Sequence, residues 1–156
     1  MKKTVYLDAT IFSFLLDTRA SIAYLSGVTK EWWENHRSFY DLYISNETIR
    51  ELSQGDYPTK TSVLESAIGI QRLEITMRVI ETAEVYLANN LMPKTLSGDA
   101  IHLAVSSFYK IDFLLTWNYK HLANANKRQH IRIINTRLGL FTPEIITPLE
   151  LLSEEE

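Results

Sequence analysis

The stretch Thr4-Val5-Tyr6-Leu7-Asp8-Ala9-Thr10-Ile11-Phe12 decides the reading of the fold. Its first four residues are β-branched or apolar and leave no room for a helical period, so they read as a strand buried on both faces. Asp8 ends that strand, and Thr10 to Leu16 reads as the first turns of a helix. A buried strand running straight into a helix is the opening of a parallel α/β sheet.

Outward from this start the same alternation continues. Ser21 to Tyr40 carries a helical pattern through Ala23, Tyr24, Val28, Trp32 and Phe39. Leu42-Tyr43-Ile44 is a second short strand, and Ser45 or Asn46 caps a helix from Glu47 to about Gln54. Pro58 opens a helix over Thr59 to Ala67, Leu73-Glu74-Ile75 is a brief strand, and Thr76 to Leu91 is helical until Pro93. Ser97-Gly98-Asp99 opens another helix, with Ser97 as its cap. Phe113-Leu114-Leu115-Thr116 is the clearest buried strand, and Ile131-Arg132-Ile133-Ile134 reads as the last one. Pro143, Pro148 and the acidic end Glu154-Glu155-Glu156 read as a poorly structured tail. The expected architecture is a single α/β domain over residues 1–150, a parallel sheet flanked by helices on both sides, followed by an acidic tail over 151–156.

Composition narrows the chemistry. The chain has 156 residues, 46% of them hydrophobic and 11% aromatic, enough to bury a core without staples. Sixteen Lys and Arg against nineteen Asp and Glu give a net charge of -3, which excludes a globally basic nucleic-acid coat but not a local basic patch. There are 0 Cys, so disulfides, thiolate nucleophiles and Cys-ligated metals are excluded. The apolar run after Met1-Lys2-Lys3 is too short for a secretion signal, and no stretch approaches the roughly 20 apolar residues of a membrane span. A cytoplasmic location is the expectation.

In parallel sheets of this kind ligands bind at the carboxyl ends of the strands. Four oxygen donors are candidates for that edge: Asp8 after the first strand, Glu51 on the helix after the second, Asp99 at a helix start and Asn118 after the strand ending at Thr116. Taken singly each has a plain structural reading, Asp8 as a helix cap, Asp99 as a first-turn carboxylate and Glu51 as part of a solvated stripe with Glu47 and Arg50. Together, converging carboxylates repel one another unless a cation neutralises them. Hard oxygen donors without cysteine favour Mg²⁺ or Mn²⁺ over zinc, and an ion with open positions suits phosphodiester chemistry. Asp112 lies six residues before Asn118, roughly 20 Å along an extended strand, and belongs to the opposite edge.

Leu7-Asp8-Ala9-Thr10-Ile11-Phe12, Ser45-Asn46-Glu47-Thr48-Ile49-Arg50-Glu51-Leu52, Gly98-Asp99-Ala100-Ile101-His102-Leu103-Ala104 and Phe113-Leu114-Leu115-Thr116-Trp117-Asn118 resemble, in order, the motif blocks of PIN-domain nucleases, and among them the VapC-type toxin ribonucleases of bacterial toxin–antitoxin pairs. The likeness runs from Thr4 to about Ile146. It implies an endoribonuclease dependent on Mg²⁺ or Mn²⁺, with water as nucleophile, that is inhibited by a cognate antitoxin and forms a homodimer. Asp8, Glu51 and Asp99 match the family's metal-binding acids, and Thr10 matches a hydroxyl that orders the first of them. Asn118 stands where many members carry a fourth acid. That departure removes one negative charge, holds a second cation more weakly, and keeps open an alternative: a PIN-like module that binds RNA or a protein without cutting. A phosphoacceptor receiver domain would need an acidic pair after the first strand and a Lys after a late one, whereas Asp8 precedes Ala9 and Thr116 precedes Trp117.

From Asn118 to Arg137 no acid occurs, while Lys120, Lys127, Arg128, Arg132 and Arg137 do. Lys120, His121, Lys127 and Arg128 are the candidates for contact with an RNA backbone, against a plain reading as a solvated face. His102, three residues after Asp99 and close to the same helical face, could touch the site, but within so apolar a run it reads rather as a hydrogen-bonded packing residue; Trp117 reads as packing or a base-stacking platform. Trp32-Trp33 and Phe39-Tyr40 read as core or as a dimer or partner surface.

Overall fold

The first strand forms as its sequence directs. In a computed structural model that describes residues 1–94 and 97–152, strand β1 (Lys3–Leu7) lies at the centre of a five-stranded, all-parallel sheet. Its neighbours are β2 (Tyr40–Ile44) and β4 (Phe113–Leu115), with β3 (Gln71–Arg72) beyond β2 and β5 (Glu144–Ile146) beyond β4. The order β3-β2-β1-β4-β5 means the chain winds one way from β1, returns, and winds the other way. Pairing sets Val5 beside Leu42 and Phe113, and Leu7 beside Leu115. The topological switch point therefore lies where β1 and β4 end, and a crevice opens there.

Alternation along each strand feeds two cores. Val5 and Leu7, with Leu115 and Ile146, pack on one face against helices α1 (Ala9–Leu16), α2 (Ala23–Asn35), α3 (Asn46–Leu52) and α4 (Lys60–Ile68) through Ile11, Phe12, Trp32, Leu52 and Val63. Tyr6, Leu114 and Ile145 face the other way, onto α5 (Met77–Ala88), α6 (Ser97–Phe108) and α7 (Ala125–Leu138). Among the described residues, no helix is long and apolar enough to cross a membrane.

Three expectations are corrected. Ile131-Arg132-Ile133-Ile134 is not a strand but the middle of α7. Asn124 caps that helix by accepting from the Asn126 N–H, and Gly139, at φ +68°, closes it in the left-handed conformation. Ile131 and Ile134, three apart, are buried while Ile133 is exposed, which is helical spacing hidden inside a short β-branched run. The last strand is instead Glu144–Ile146, and Pro148–Leu151 forms a 3-10 turn whose Leu151 is in the core, so this segment is no loose tail. The brief strand expected at Leu73–Ile75 sits two residues earlier, although the Leu73 N–H still bonds the Ile44 carbonyl at 2.8 Å. Residues 153–156, the end of the expected acidic tail, lie outside the described residues, as does the side chain of Ser97.

Candidate active site

Asp8 occupies the carboxyl end of the central strand and does two things at once. It caps α1, accepting the Thr10 N–H at 3.0 Å, and its carboxylate is only 2% exposed. Two threonines hold it. The Thr10 hydroxyl donates to Asp8 Oδ1 at 2.5 Å and accepts the Trp117 N–H at 2.9 Å; the Thr116 hydroxyl donates to Asp8 Oδ2 and accepts the Asn118 N–H at 2.9 Å. Each hydroxyl thus ties the carboxylate to the backbone leaving β4, and the two strand ends at the switch point are locked together around one acid.

Asp99 comes in from the first turn of α6, where a carboxylate is favoured by the helix dipole. Asn118 donates from Nδ2 to Asp99 Oδ2 at 2.7 Å while its Oδ1 accepts the His121 N–H at 3.1 Å. Next to Asp99, Gly98 permits a close approach: a Cβ there would stand 2.6 Å from Glu51 Oε1 and 2.9 Å from Glu47 Oε1. Glu47 is ion-paired with Arg50 and so carries little unbalanced charge. Glu51 is held from below. Its Oε1 meets His102 Nε2 at 2.6 Å, His102 Nδ1 meets the Tyr6 hydroxyl at 2.6 Å, and that hydroxyl lies 2.7 Å from Ser45 Oγ, the cap of α3. Both His102 and Tyr6 are fully buried.

The electrostatics reflect crowding of like charge. Burial raises the pKa of Asp8, with Glu51 adding to it, against the opposing pull of His102 and the two threonine hydroxyls. Burial, together with the charges of Asp8 and Glu51, pushes Asp99 up to about 6 despite His102 and the Asn118 hydrogen bond. Burial alone would lower the His102 pKa. The Tyr6 oxygen, the bond to Glu51 and the charges of Glu51 and Asp8 outweigh it, so the imidazole pKa is raised well above its ordinary value. The three carboxylates gathered over one imidazole make a site whose charge is only partly balanced by the protein itself. Among the described residues, no three His, Asp or Glu side chains form a ready-made metal cage.

The architecture has a counterpart among solved structures. The chain is similar to the Mycobacterium tuberculosis toxin VapC20, which cleaves the sarcin–ricin loop, with a TM-score of 0.57 and 14% identity over 71% of this chain and 87% of that one. The fold is PIN-like. No family model and no curated protein matches the sequence.

Within this PIN-like frame the structure brings Asp8, Glu51, Asp99, Asn118 and Thr10 to one edge, with Thr10 directed at Asp8. Lys120, His121 and Lys127 line an adjoining cleft. Arg128 is not with them: its Nε donates to the Ile145 carbonyl at 3.1 Å and its guanidinium lies 3.8 Å from Glu150, covering the free edge of β5. Asp112 bonds the Thr4 N–H at 2.9 Å at the amino end of the sheet, opposite the site. Trp117 is a packing residue, 7% exposed, its indole N–H donating to Thr29 Oγ1 at 2.8 Å. Trp32 is core, stacked on Tyr40, while Phe39 is exposed. Thr116 and Tyr6 join the site without a sequence signal of their own as site residues, and His102 both packs in the core and touches the site through Glu51. For His102 a signal existed, its position three residues after Asp99 on one helical face; Thr116 gave none beyond ending a strand.

Proposed function

We propose that this protein is a metal-dependent endoribonuclease, hydrolysing RNA phosphodiester bonds with Mg²⁺ or Mn²⁺, of the kind that serves as the toxin of a toxin–antitoxin pair. The observation that carries it is the meeting of Asp8, Glu51 and Asp99 at the switch point, with both aspartates pushed up in pKa by burial and by neighbouring charge. Such a donor set fits a hard divalent ion: all oxygen, net negative and costly to keep ionised without a cation. Mg²⁺ takes only one or two protein carboxylates and retains waters, so a closed cage of three is not required. Asp8 and Asp99 would be the main anchors and Glu51 a ligand to a second ion or to a bound water.

When bound, the ion supplies an acidified water and neutralises charge on the phosphate. The protein's own part is positioning. Thr10 and Thr116 fix Asp8, Asn118 fixes Asp99, and His102 fixes Glu51. Water is the nucleophile, and Lys120, His121 and Lys127 contact the RNA backbone. In this reading residues 1–150 form the nuclease domain, the protein acts in the cytoplasm, an antitoxin is its inhibitory partner, and it works as a homodimer.

Incubation of single-stranded and structured RNA with the protein and Mn²⁺ or Mg²⁺, beside EDTA and Asp99→Asn controls, tests the proposal. Endonucleolytic products that need the ion and vanish in the variant are expected. The amide at position 118, where many PIN-domain nucleases carry an acid, favours the second reading of a binding module that does not cut. Absence of products together with absence of Mn²⁺ binding by calorimetry would select it.

A further inference from the structure

Beside the carboxylates, the segment Asn90–Lys94 and the start of α7 enclose an open cleft of about 400 Å³. Lys94, Lys120, Lys127 and His121 line it together with Met92 and Asn90, and none of its described lining residues is acidic. Three ammonium groups facing one concavity repel one another. The effect is felt by His121, whose imidazole is held below its usual pKa by burial and by the charges of Lys120 and Lys127. Lys127 also ties the two walls, donating from Nζ to the Leu91 carbonyl at 2.7 Å, and Leu91 and Met92 are rooted in the core. The cleft is therefore a preformed basic concavity.

It is coupled to the carboxylate site through a single side chain. Asn118 donates to Asp99 with one end of its amide and accepts from the His121 backbone with the other. Asn118 and His121 stand three positions apart, at most about 10 Å of chain, and the Asn118 amide bridges that span. In the chain Tyr119, 65% exposed, stands between Asn118 of the carboxylate site and Lys120 of the cleft, while neighbouring Trp117 is 7% exposed and used in packing. An exposed aromatic next in the chain to a cation-lined cleft supplies the two elements by which single-stranded nucleic acid is held: charge follows the backbone and a π-face takes a base. A base paired within a duplex is stacked and unavailable to Tyr119.

We propose that this cleft and Tyr119 form a subsite for the nucleotide flanking the scissile bond of a single-stranded RNA, its phosphate received by Lys94, Lys120 and Lys127 and its base stacked on the Tyr119 ring. The proposal rests on the ribonuclease reading and extends it by adding Lys94 and Tyr119 to the binding surface.

Fluorescence anisotropy with a short single-stranded oligoribonucleotide tests it, using Asp99→Asn protein so that the probe stays intact, with RNA cleavage measured in parallel on protein carrying the native Asp99. A Lys94→Ala, Lys120→Ala double variant is expected to bind about tenfold more weakly at low salt and to lower the salt slope of log K by about 0.7, the value of one single-strand phosphate. Tyr119→Ala is expected to lose about tenfold in affinity with the salt slope unchanged, and Tyr119→Trp to retain it. Inorganic phosphate should not compete at concentrations that leave the oligonucleotide bound. If both variants bind and cleave as the parent does, the subsite is wrong and the nuclease reading stands. If only the lysines matter and phosphate competes fully, the cleft takes a free anion and the nucleotide assignment is overturned. If the parent neither binds nor cleaves RNA, the ribonuclease reading falls and the subsite with it.

Discussion

His102 Nε2 lies 2.6 Å from Glu51 Oε1, with the imidazole fully buried and the carboxylate reaching toward the crevice. The buried ring orients that acid, and its raised pKa favours the charged form that offsets the gathering of Glu51 with Asp8 and Asp99. The other side of the ring is held by Tyr6, from the central strand, so the orientation of Glu51 is set by the core.

His102→Ala should accordingly strip two hydrogen bonds and leave Tyr6 and Glu51 without their buried partner, at a cost of about 3 kcal/mol. Tyr6→Phe keeps the volume but leaves His102 Nδ1 and Ser45 Oγ short of a partner, at about 1–2 kcal/mol. Urea unfolding ranks the two. Equal stability of the alanine variant and the parent would show that the pair holds nothing together.

The raised pKa values fix the sign of the pH dependence. Asp99 holds its proton more tightly in the folded chain, near 6 against 3.8, so its contribution to stability is complete below 3.8 and is lost as the pH rises through 6. The loss is at most about 3 kcal/mol, at about 1.4 kcal/mol per pH unit. His102, raised as well, acts in the same sense at higher pH, its contribution being present below 6.5 and lost through its folded pKa. Metal-free protein should therefore melt at a higher temperature at pH 5 than at pH 8, and Mn²⁺ should raise the melting temperature more at pH 8 than at pH 5. Calorimetric melts at the two pH values, with EDTA and with Mn²⁺, check both statements.

How far the sequence foretells this site depends on what each residue's signal is made of. Asp8 is legible because a polar residue after a run as apolar as Val5-Tyr6-Leu7 has nowhere to be but a strand end. Phe113 to Leu115 is legible for the same reason. Ile131 to Ile134 misleads because four residues cannot separate a period of 2 from one of 3.6; the wider window, from the Asn124 cap to Gly139, carries the helical answer. β5 is only three residues long and follows a proline, too short for any periodicity to show. The link from Tyr6 through His102 to Glu51 joins residues 96 and 51 positions apart, and no local pattern encodes such a contact.

Gly98 offers a test that separates geometry from folding. Gly98→Ala adds a methyl group where Glu51 Oε1 would be 2.6 Å away, and Glu51 cannot yield without loosening its bond to His102. Alanine is itself the better helix former by about 1 kcal/mol, so little net stability should be lost. The expected result is a melting temperature within a few degrees of the parent, with RNA cleavage and Mn²⁺ affinity down by about tenfold or more. A variant that cleaves RNA as the parent does would show that the approach of Glu51 to Gly98 has no bearing on the chemistry.

Asn118→Asp adds a negative charge beside Asp99 and turns a donor into an acceptor. The bond from Nδ2 to Asp99 Oδ2 at 2.7 Å becomes an encounter between two carboxylates, one of them already pushed up to about 6. Without a cation the variant should be less stable than the parent at pH 8 by about 1–3 kcal/mol, with the deficit shrinking as the pH falls and the pair shares a proton. With Mn²⁺ the order should reverse in affinity, because a fourth acid provides a further hard ligand for a second ion. Isothermal titration with Mn²⁺ reads the number of ions and their affinities, and melts with EDTA read the penalty. Weaker Mn²⁺ binding in the variant than in the parent would mean that the amide, rather than the missing charge, is what position 118 contributes.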